Sequence, residues 1–280
     1  MPVMEEIIIA PNRGFAHYWR DLWRYRELFL ILSWRDVTVR YKQTVVGAAW
    51  AIIQPLTSMV VMSVVFGRLA GLPSEGNAPY PIMVFAAMLP WQFFANGLSL
   101  SSQSLVNNSS LITKVYFPRL IIPATPILVS LIDAGVAGSV LAAMMVWYRF
   151  WPTWRLVALP ALVVLAVCVA FGASLVVCAM AVRYRDVRFV IPFLVQFGLY
   201  ASPVAYSSDV VRTKLGPGLF RLYTLNPMVG VIDGFRWSLL GGASPLNGTE
   251  LLTAVALTAV LCVIGLRYFR QVERQMADYA

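Results

Sequence analysis

Charge is scarce in this sequence: 12% of its 280 residues are Asp, Glu, Lys or Arg, whereas 59% are hydrophobic. A soluble domain usually carries about 25% charged residues. The shortage of charge excludes such a domain, because too little polar surface would be left to face water. The composition, with a mean hydropathy of +0.72, therefore predicts an all-α polytopic membrane protein.

Histidine and lysine are scarce too, and each shortage excludes a class of chemistry. The single histidine, His17, lies near the N-terminus, and no Ser–His or paired-aspartate arrangement falls within the apolar runs, so we expect no catalytic residue. A nucleotide-binding P-loop needs a Gly-Lys-Ser/Thr sequence. The three lysines, Lys42, Lys114 and Lys214, follow Tyr or Thr, so we expect this chain to hold no ATP, magnesium or other cofactor.

Cysteine is also rare, and its positions argue against a disulfide framework. Cys168, Cys178 and Cys262 all lie inside apolar runs, where we expect small core side chains rather than disulfide partners or metal ligands. Near the N-terminus, Glu5 and Glu6 occupy positions where a signal peptide carries bases, so we expect no cleaved signal.

Six apolar runs approach the roughly 20 residues that a helix needs to cross a hydrocarbon core of about 30 Å. They cover 45–66, 80–105, 120–148, 157–182, 189–207 and 250–268. With the N-terminus in the cytoplasm, 15 of the 22 basic residues fall on the cytoplasmic side of these runs and seven on the other. This asymmetry predicts six spans with both termini inside, and it explains the net charge of +9 without a nucleic-acid partner.

The segments outside the spans follow from their own patterns. Residues 1–44 predict a cytoplasmic region whose amphipathic helix lies on the inner leaflet. Its apolar positions are Phe15, Tyr18, Trp19, Leu22 and Trp23. Prolines and glycines break 208–248 into short helices, which predicts a re-entrant or outer helical hairpin on the periplasmic side. Residues 269–280 are expected to form a cytoplasmic tail.

The run 28–34 is too short to cross the membrane, and basic residues follow it before the first span. Arg35, Arg40 and Lys42 would suit a diphosphate headgroup at the cytoplasmic interface, because guanidinium groups match phosphate geometry. Two interpretations stay open. The segment is a gate helix that passes a lipid headgroup to the first span, or it is a surface anchor whose bases follow the positive-inside rule.

The sequence NNSSLITKVYFPR separates the second and third apolar runs and predicts a short cytoplasmic helix over 107–118. Asn108 or Ser109 can cap its N-terminus, and Pro118 ends it. Its apolar face consists of Leu111, Ile112, Val115 and Tyr116. Such a helix has to pack on something, so it is either a tight turn on the membrane surface or a docking element for a second protein.

Asp133 is the one charge within the third run, and its burial in a bilayer costs about 2.5–3.5 kcal/mol on insertion scales. We expect it to face a lumen, a second copy of the chain, or a hydroxyl neighbour such as Ser130 or Ser139. A structural role and a role in translocation both stay open.

Four separated motifs, together with the six-span pattern, identify a family. They are WRDVTVRYKQTVVGAAWAIIQP (34–55), LPWQFFANGLSLSSQSLVNNSSLITKVYFPR (89–119), RYRDVRFVIPFLVQFGLYASPVAY (183–206) and YTLNPMVGVIDGFRW (223–237). From Leu28 onward, the chain resembles the permease subunit of type-2 ABC exporters, in the branch that exports bacterial surface polysaccharides. The resemblance implies an ABC type-2 transmembrane domain over 45–268, in the bacterial inner membrane.

In this family the 107–118 segment is the coupling helix, which sits in a groove of a separate ATPase subunit. The resemblance implies that the ATPase-coupling residues are Ser109, Leu111, Ile112, Lys114, Val115, Tyr116 and Arg119. It also implies two copies of this chain and two ABC ATPase subunits, which bind the ATP and magnesium.

The family places its polysaccharide channel on the first, second and fifth spans, and this sequence has aromatic rings there. They are Trp50, Trp91, Phe93, Phe94, Phe197, Tyr200 and Tyr206. Flat rings suit a sugar polymer, because stacking on C–H faces lacks strict registry and permits sliding. Helix packing is the alternative for each ring, since aromatic side chains dominate core energetics generally.

The substrate that the resemblance implies is a lipid-linked polysaccharide moved from cytoplasm to periplasm, with O-antigen on undecaprenyl diphosphate as the first candidate. Export of capsular polysaccharide or teichoic acid by the same fold stays open. So do a drug or small-lipid exporter of this fold and, from another class, a stand-alone channel or scaffold.

Overall fold

The computed structural model describes residues 15–42, 49–241 and 246–278, and every regular element within these ranges is helical. The α-helices are α1 (Phe15–Arg24), α2 (Arg26–Lys42), α3 (Trp50–Met62), α4 (Tyr80–Asn107), α5 (Ser109–Lys114), α6 (Ile121–Trp147), α7 (Leu159–Arg183), α8 (Val187–Ala201), α9 (Ser208–Tyr223), α10 (Pro227–Leu239) and α11 (Gly248–Asp278). A π-helical segment, Ser63–Leu69, continues α3, and a 3-10 helix, Trp154–Ala158, precedes α7. The predicted all-α fold class is confirmed.

Five helical stretches in the described ranges are long and apolar enough to cross a membrane. They are Trp50–Leu69, Tyr80–Asn107, Ile121–Trp147, Trp154–Arg183 and Gly248–Arg274. The run predicted as the fifth span forms α8, which is apolar but has only 15 residues. The chain is a multi-pass membrane protein by these helices, and a full crossing by α8 stays a prediction.

Helix α4 forms the centre of the bundle. It packs against α3, α6, α7, α8 and α10. Most of its apolar stretch is buried, whereas α3, α6 and α11 bury a third or less of theirs. Within a membrane, the outer faces of these three helices are therefore left for lipid or for other protein chains.

The N-terminal helices pack differently from the flat surface helix that periodicity predicts. Helix α2 runs beside α6, and Leu32 from the short apolar run is buried in the bundle. Tyr18 and Leu22 of α1 also pack inward, whereas Trp19 and Trp23 are exposed. Of the three aromatic rings of α1 whose side chains are described, only Tyr18 therefore faces the interior.

Helices α9 and α10 lie in the segment predicted as a helical hairpin over 208–248, of which 242–245 lie outside the described residues. Gly216 adopts a φ of 73°, which glycine tolerates, and it kinks α9. Asn226 caps α10 by accepting the N–H of Met228 at 3.0 Å. Helix α10 is buried against α4, α7 and α11, so it is an internal helix.

A buried ion pair holds this hairpin to two neighbouring segments. Arg236 of α10 is fully buried, and its Nη1 lies 3.0 Å from Oε1 of Glu75 in the loop before α4. The same guanidinium donates to the carbonyl oxygens of Val204 at 2.8 Å and Tyr206 at 2.9 Å. A buried charge needs such partners, so Arg236 fixes both the loop before α4 and the α8–α9 connection to α10.

Helices α7 and α11 approach so closely that only glycine fits where they cross. A Cβ on Gly265 would lie 2.6 Å from the carbonyl oxygen of Gly172, and a Cβ on Gly172 would lie 3.0 Å from the backbone nitrogen of Cys262. Glycine at such crossings lets the backbones of membrane helices meet.

Gly265→Ala is expected to lower the thermal unfolding midpoint of the purified protein in detergent. The added methyl group pushes α11 away from α7, and such overpacking costs about 1–3 kcal/mol. The matched control is Gly138→Ala on α6, because a Cβ there meets no atom within 4 Å. Equal midpoints for the two variants would contradict this packing.

Candidate functional site

The loop between α4 and α6 contains α5, a helix of six residues. Asn108 precedes it, but the side-chain amide donates to the carbonyl oxygen of Ser104 at 2.9 Å and so binds the end of α4 instead of capping α5. Helix α5 ends at Lys114, since Val115 is extended, with φ −131° and ψ 132°. The helix therefore ends before Pro118, earlier than the sequence predicts.

The apolar residues of this loop point in two directions. Leu111 and Ile112 are half-buried and pack against an interior cluster. Val115 and Tyr116 are 48% and 58% exposed, and Lys114 is exposed beside them. The early end of α5 thus divides the apolar face expected from helical spacing. We name Lys114, Val115 and Tyr116 the outward patch.

The interior cluster beneath α5 draws on α2, α4, α6, α7 and α11. Its buried members are Leu32, Leu105, Phe117, Leu120, Ile121, Ile122, Leu175, Cys178, Ala179, Phe269 and Val272. Tyr18 and Leu22 of α1 pack against it, and we name the whole cluster the coupling core. Leu111 and Ile112 therefore join α5 to the helices that share this closely packed core.

A polar junction beside the coupling core centres on Glu273 of α11. Its carboxylate accepts the backbone N–H of Arg119 at 3.1 Å and the hydroxyl of Tyr18 at 3.2 Å. The guanidinium of Arg119 donates to the Glu273 carbonyl oxygen at 3.2 Å. Burial, and then the charge of Glu273, raises the pKa of Tyr18, so the phenol stays protonated and donates. Glu273 therefore joins α1 and the end of the α5 loop to α11.

The three basic residues assigned to a lipid headgroup contact different partners. Arg35 donates to Oδ1 of Asn108 at 3.1 Å, which ties α2 to the junction of α4 and α5. Arg40 pairs with Asp133 of α6, and Lys42 is exposed at the end of α2. The basic group is thus spread along α2 rather than gathered around one point.

Asp133 lies about 18 Å along α6 from its start, given the rise of 1.5 Å per residue. Its Oδ2 lies 3.0 Å from Nη2 of Arg40, and its Oδ1 accepts a hydrogen bond from the hydroxyl of Tyr41. Burial, and then the bond to Asp133, raises the pKa of Tyr41 to about 12, so the phenol remains a donor. The hydroxyl partner expected at Ser130 or Ser139 is therefore Tyr41, and Arg40 balances the charge.

The aromatic residues assigned to a channel differ in exposure. Trp91 and Phe93 of α4 are 5% and 4% exposed. Trp91 packs against Gly198 of α8, where a Cβ would lie 2.6 Å from the ring, and its centroid lies 5.6 Å from that of Phe94. Within a single chain, these α4 rings pack helices together.

The remaining channel candidates are more open. Trp50 of α3 is 56% exposed, and Phe197 and Tyr200 of α8 are 63% and 52% exposed. Tyr206 is half-buried, and its hydroxyl donates to the Tyr200 carbonyl oxygen at 2.8 Å. Two further exposed rings extend the α8 set, which we name the aromatic strip. The strip consists of Phe189, Phe193, Phe197 and Tyr200.

Sequence reasoning missed Tyr41, Glu273 and two rings of the aromatic strip. The spacing of Phe189 and Phe193 at four-residue intervals before Phe197 could have revealed the strip. Glu273 is the one acid in 251–277, which is also a usable signal. Tyr41 offers none, because its partner Asp133 lies 92 positions away.

The described residues contain no group of three or more His, Cys, Asp or Glu that could hold a metal ion. Their polar side chains at this site instead pair charges and link helices. The arrangement joins α5, through the coupling core and the hydrogen bonds of Glu273, to α1, α2 and α11.

Comparison with known proteins shows the family. The description "ABC-2 type transporter" matches residues 27–240, which is most of the chain. An O-antigen export system permease protein RfbA from Myxococcus xanthus is 24% identical over 253 residues, which cover 89% of this chain and 95% of the relative. A protein of the same name from Klebsiella pneumoniae is 25% identical over 255 residues, which cover 90% and 94%. The chain belongs to the ABC-2 type transporter family.

Proposed function

We propose that this protein is the membrane-spanning permease subunit of an ATP-driven exporter of a lipid-linked surface polysaccharide. The first candidate substrate is O-antigen on undecaprenyl diphosphate, moved from cytoplasm to periplasm. The observation that carries the proposal is the outward patch, whose exposed side chains continue a helix anchored in the coupling core. Family membership and the names of the relatives support the same conclusion.

The outward patch has the properties of a docking surface. Val115 and Tyr116 expose apolar surface beyond the end of α5, and exposed tyrosine is enriched in protein interfaces. Lys114 adds a charge at the rim. The proposed partner is an ABC ATPase subunit, one for each copy of this chain. That subunit holds the ATP and magnesium, because none of the three lysines of this chain follows glycine as a P-loop requires.

The proposed orientation of the chain in the membrane follows from the helices that pack on the coupling core. Helix α1 near the N-terminus, helix α5 and the last turns of α11 all meet there, so they lie on one side of the bundle. A docking surface for an ATPase has to face the cytoplasm, where ATP is. The proposal therefore places both ends of the chain in the cytoplasm of a bacterial cell, with the spans in the inner membrane.

The path for the polysaccharide is proposed between two copies of the chain. Trp50 and the aromatic strip are exposed on one chain, and flat rings accept sugar faces without fixed register. A second copy of the chain brings a second aromatic strip to the path between the two copies. Arg35 and Lys42 of α2 are the bases proposed to meet the diphosphate of the carrier lipid.

Tyr116→Asp tests the docking role. In a complex reconstituted with its ATPase subunit, this change is expected to reduce transport and substrate-stimulated ATP hydrolysis at least about tenfold, because a charge enters a desolvated interface. Tyr148→Asp is the matched control: Tyr148 is 46% exposed at the far end of α6. Unchanged transport and ATPase binding in Tyr116→Asp would overturn the proposed function.

A further inference from the structure

A polar cavity of about 280 Å³ lies between α2, α3, α4 and α6, next to Asp133. It is lined by Arg40, Tyr41, Trp50, Gln54, Gln92, Phe93, Asn96, Ser130 and Asp133, among others. Trp50 and Gln54 are exposed, so the cavity opens beside the start of α3. Its size is near the lower end for ligand pockets, which begin at about 300 Å³, and suits one small ring rather than a chain of them.

Besides the paired Arg40, Tyr41 and Asp133, four polar side chains of this lining have no hydrogen-bond partner among the described residues. The carboxamides of Gln54, Gln92 and Asn96 make no hydrogen bond to any described residue. Ser130 is 1% exposed, and its Oγ is buried without a hydrogen-bond partner among the described residues. Buried polar groups are costly unless they are hydrogen-bonded. The Ser130 hydroxyl is such a group, and the half-buried carboxamides of Gln92 and Asn96 line the same cavity, so the lining favours a polar occupant.

The chemistry of the lining selects among polar occupants. Each carboxamide both donates and accepts, as a sugar hydroxyl does. Arg40 and Asp133 neutralise one another, so the cavity offers no net positive charge to a diphosphate, and the carboxylate repels one. The rings of Trp50 and Phe93 supply apolar surface for the C–H face of a sugar. A neutral sugar ring satisfies all three features.

A hydrocarbon occupant is disfavoured by contrast with the adjoining cavity. Phe93, Leu89 and Ala134 line both spaces, and the second space, of about 500 Å³, has an apolar lining that includes Leu131 and Leu141. A lipid chain in the apolar space leaves no polar group without a hydrogen bond, whereas in the polar cavity it would leave the amides unpaired.

We propose that the polar cavity binds one uncharged sugar unit of the transported glycan, with Gln92, Asn96 and Ser130 as hydrogen-bonding residues. This inference rests on the proposed function and deepens it, because it adds a site that binds a sugar of the glycan separately from the carrier headgroup. The cavity lies about 18 Å along α6 from the α5 end of the bundle.

The test uses the permease–ATPase complex in lipid nanodiscs and two probes. One is the lipid-linked glycan that the source strain accumulates when this permease is deleted, and the other is undecaprenyl diphosphate without sugar. Asn96→Leu and Gln92→Leu are expected to raise the glycan-lipid concentration for half-maximal ATPase stimulation about tenfold each, as a lost hydrogen bond with an unpaired partner does. The response to the sugar-free lipid is expected to stay unchanged.

Gln103→Leu is the matched control, because Gln103 is exposed on the same helix and does not line the cavity. Unaltered responses of both cavity variants to the glycan lipid would overturn the inference and leave a cavity filled by water. An equal loss of response to both lipids would also overturn it, in favour of a headgroup site. A wild-type complex whose ATPase activity is not stimulated by the glycan lipid would contradict the proposed function itself.

Discussion

Arg236→Met is expected to lower the thermal unfolding midpoint of the purified protein more than any other substitution considered. Arg236 is fully buried, and its loss leaves the buried carboxylate of Glu75 and two carbonyl oxygens without their donor. Removal of one partner of a buried ion pair typically costs about 3–5 kcal/mol. Tryptophan fluorescence during heating in detergent measures the effect.

The buried pair allows a compensating variant. Glu75→Gln combined with Arg236→Met removes both charges of the pair and is expected to recover part of the loss, because the Glu75 carboxylate is no longer left inside without its partner. Arg221→Met is the control, since Arg221 is exposed on α9 of the same hairpin. A midpoint for Arg236→Met equal to that of Arg221→Met would show that the ion pair does not hold the hairpin.

Glu273→Ala is expected to separate ATP hydrolysis from transport, with transport reduced at least about tenfold in the reconstituted complex. The change removes the acceptor for the Arg119 N–H and the Tyr18 hydroxyl, and a buried donor left unpaired costs about 1–3 kcal/mol. The outward patch is untouched, so the ATPase subunit is expected to remain bound. Transport assays in proteoliposomes and co-purification measure the two quantities.

A conservative variant distinguishes a positioning role of Glu273 from a loss of folding. Glu273→Gln keeps a carbonyl oxygen that accepts both hydrogen bonds, so it is expected to retain most transport. Arg274→Ala, an exposed neighbour, serves as control. Full transport by Glu273→Ala, or equal loss in the Ala and Gln variants, would contradict the role of the polar junction in transmission.

Much of the fold follows from hydropathy alone. Helix α4 begins at Tyr80 and α6 at Ile121, within a residue of the limits of the apolar runs. A run of about 20 apolar residues has a favourable transfer free energy wherever it packs, so length and composition are sufficient. Helix α8 shows the limit of this argument, because Pro203 and the turns around it end the helix at Ala201, before the apolar run is over.

The candidate site was less accessible from the sequence. The spacing of Leu111, Ile112, Val115 and Tyr116 predicts one apolar face, but that inference assumes that the helix continues to Pro118. Helix α5 ends at Lys114, so the four side chains are shared between the coupling core and the outward patch. The exposed or buried state of each aromatic ring depended in the same way on which helix packs beside it.

The sequence by itself determined that the protein is a helical membrane protein, that none of its lysines belongs to a P-loop, and that a short polar segment interrupts its apolar runs. These properties depend on the composition of continuous stretches. The tertiary structure alone decided that Tyr41 and Arg40 meet Asp133, and that Glu273 meets Tyr18 across 255 positions. Hydrogen bonds act over about 3 Å, so partners this far apart in the chain are known only once the helices have packed.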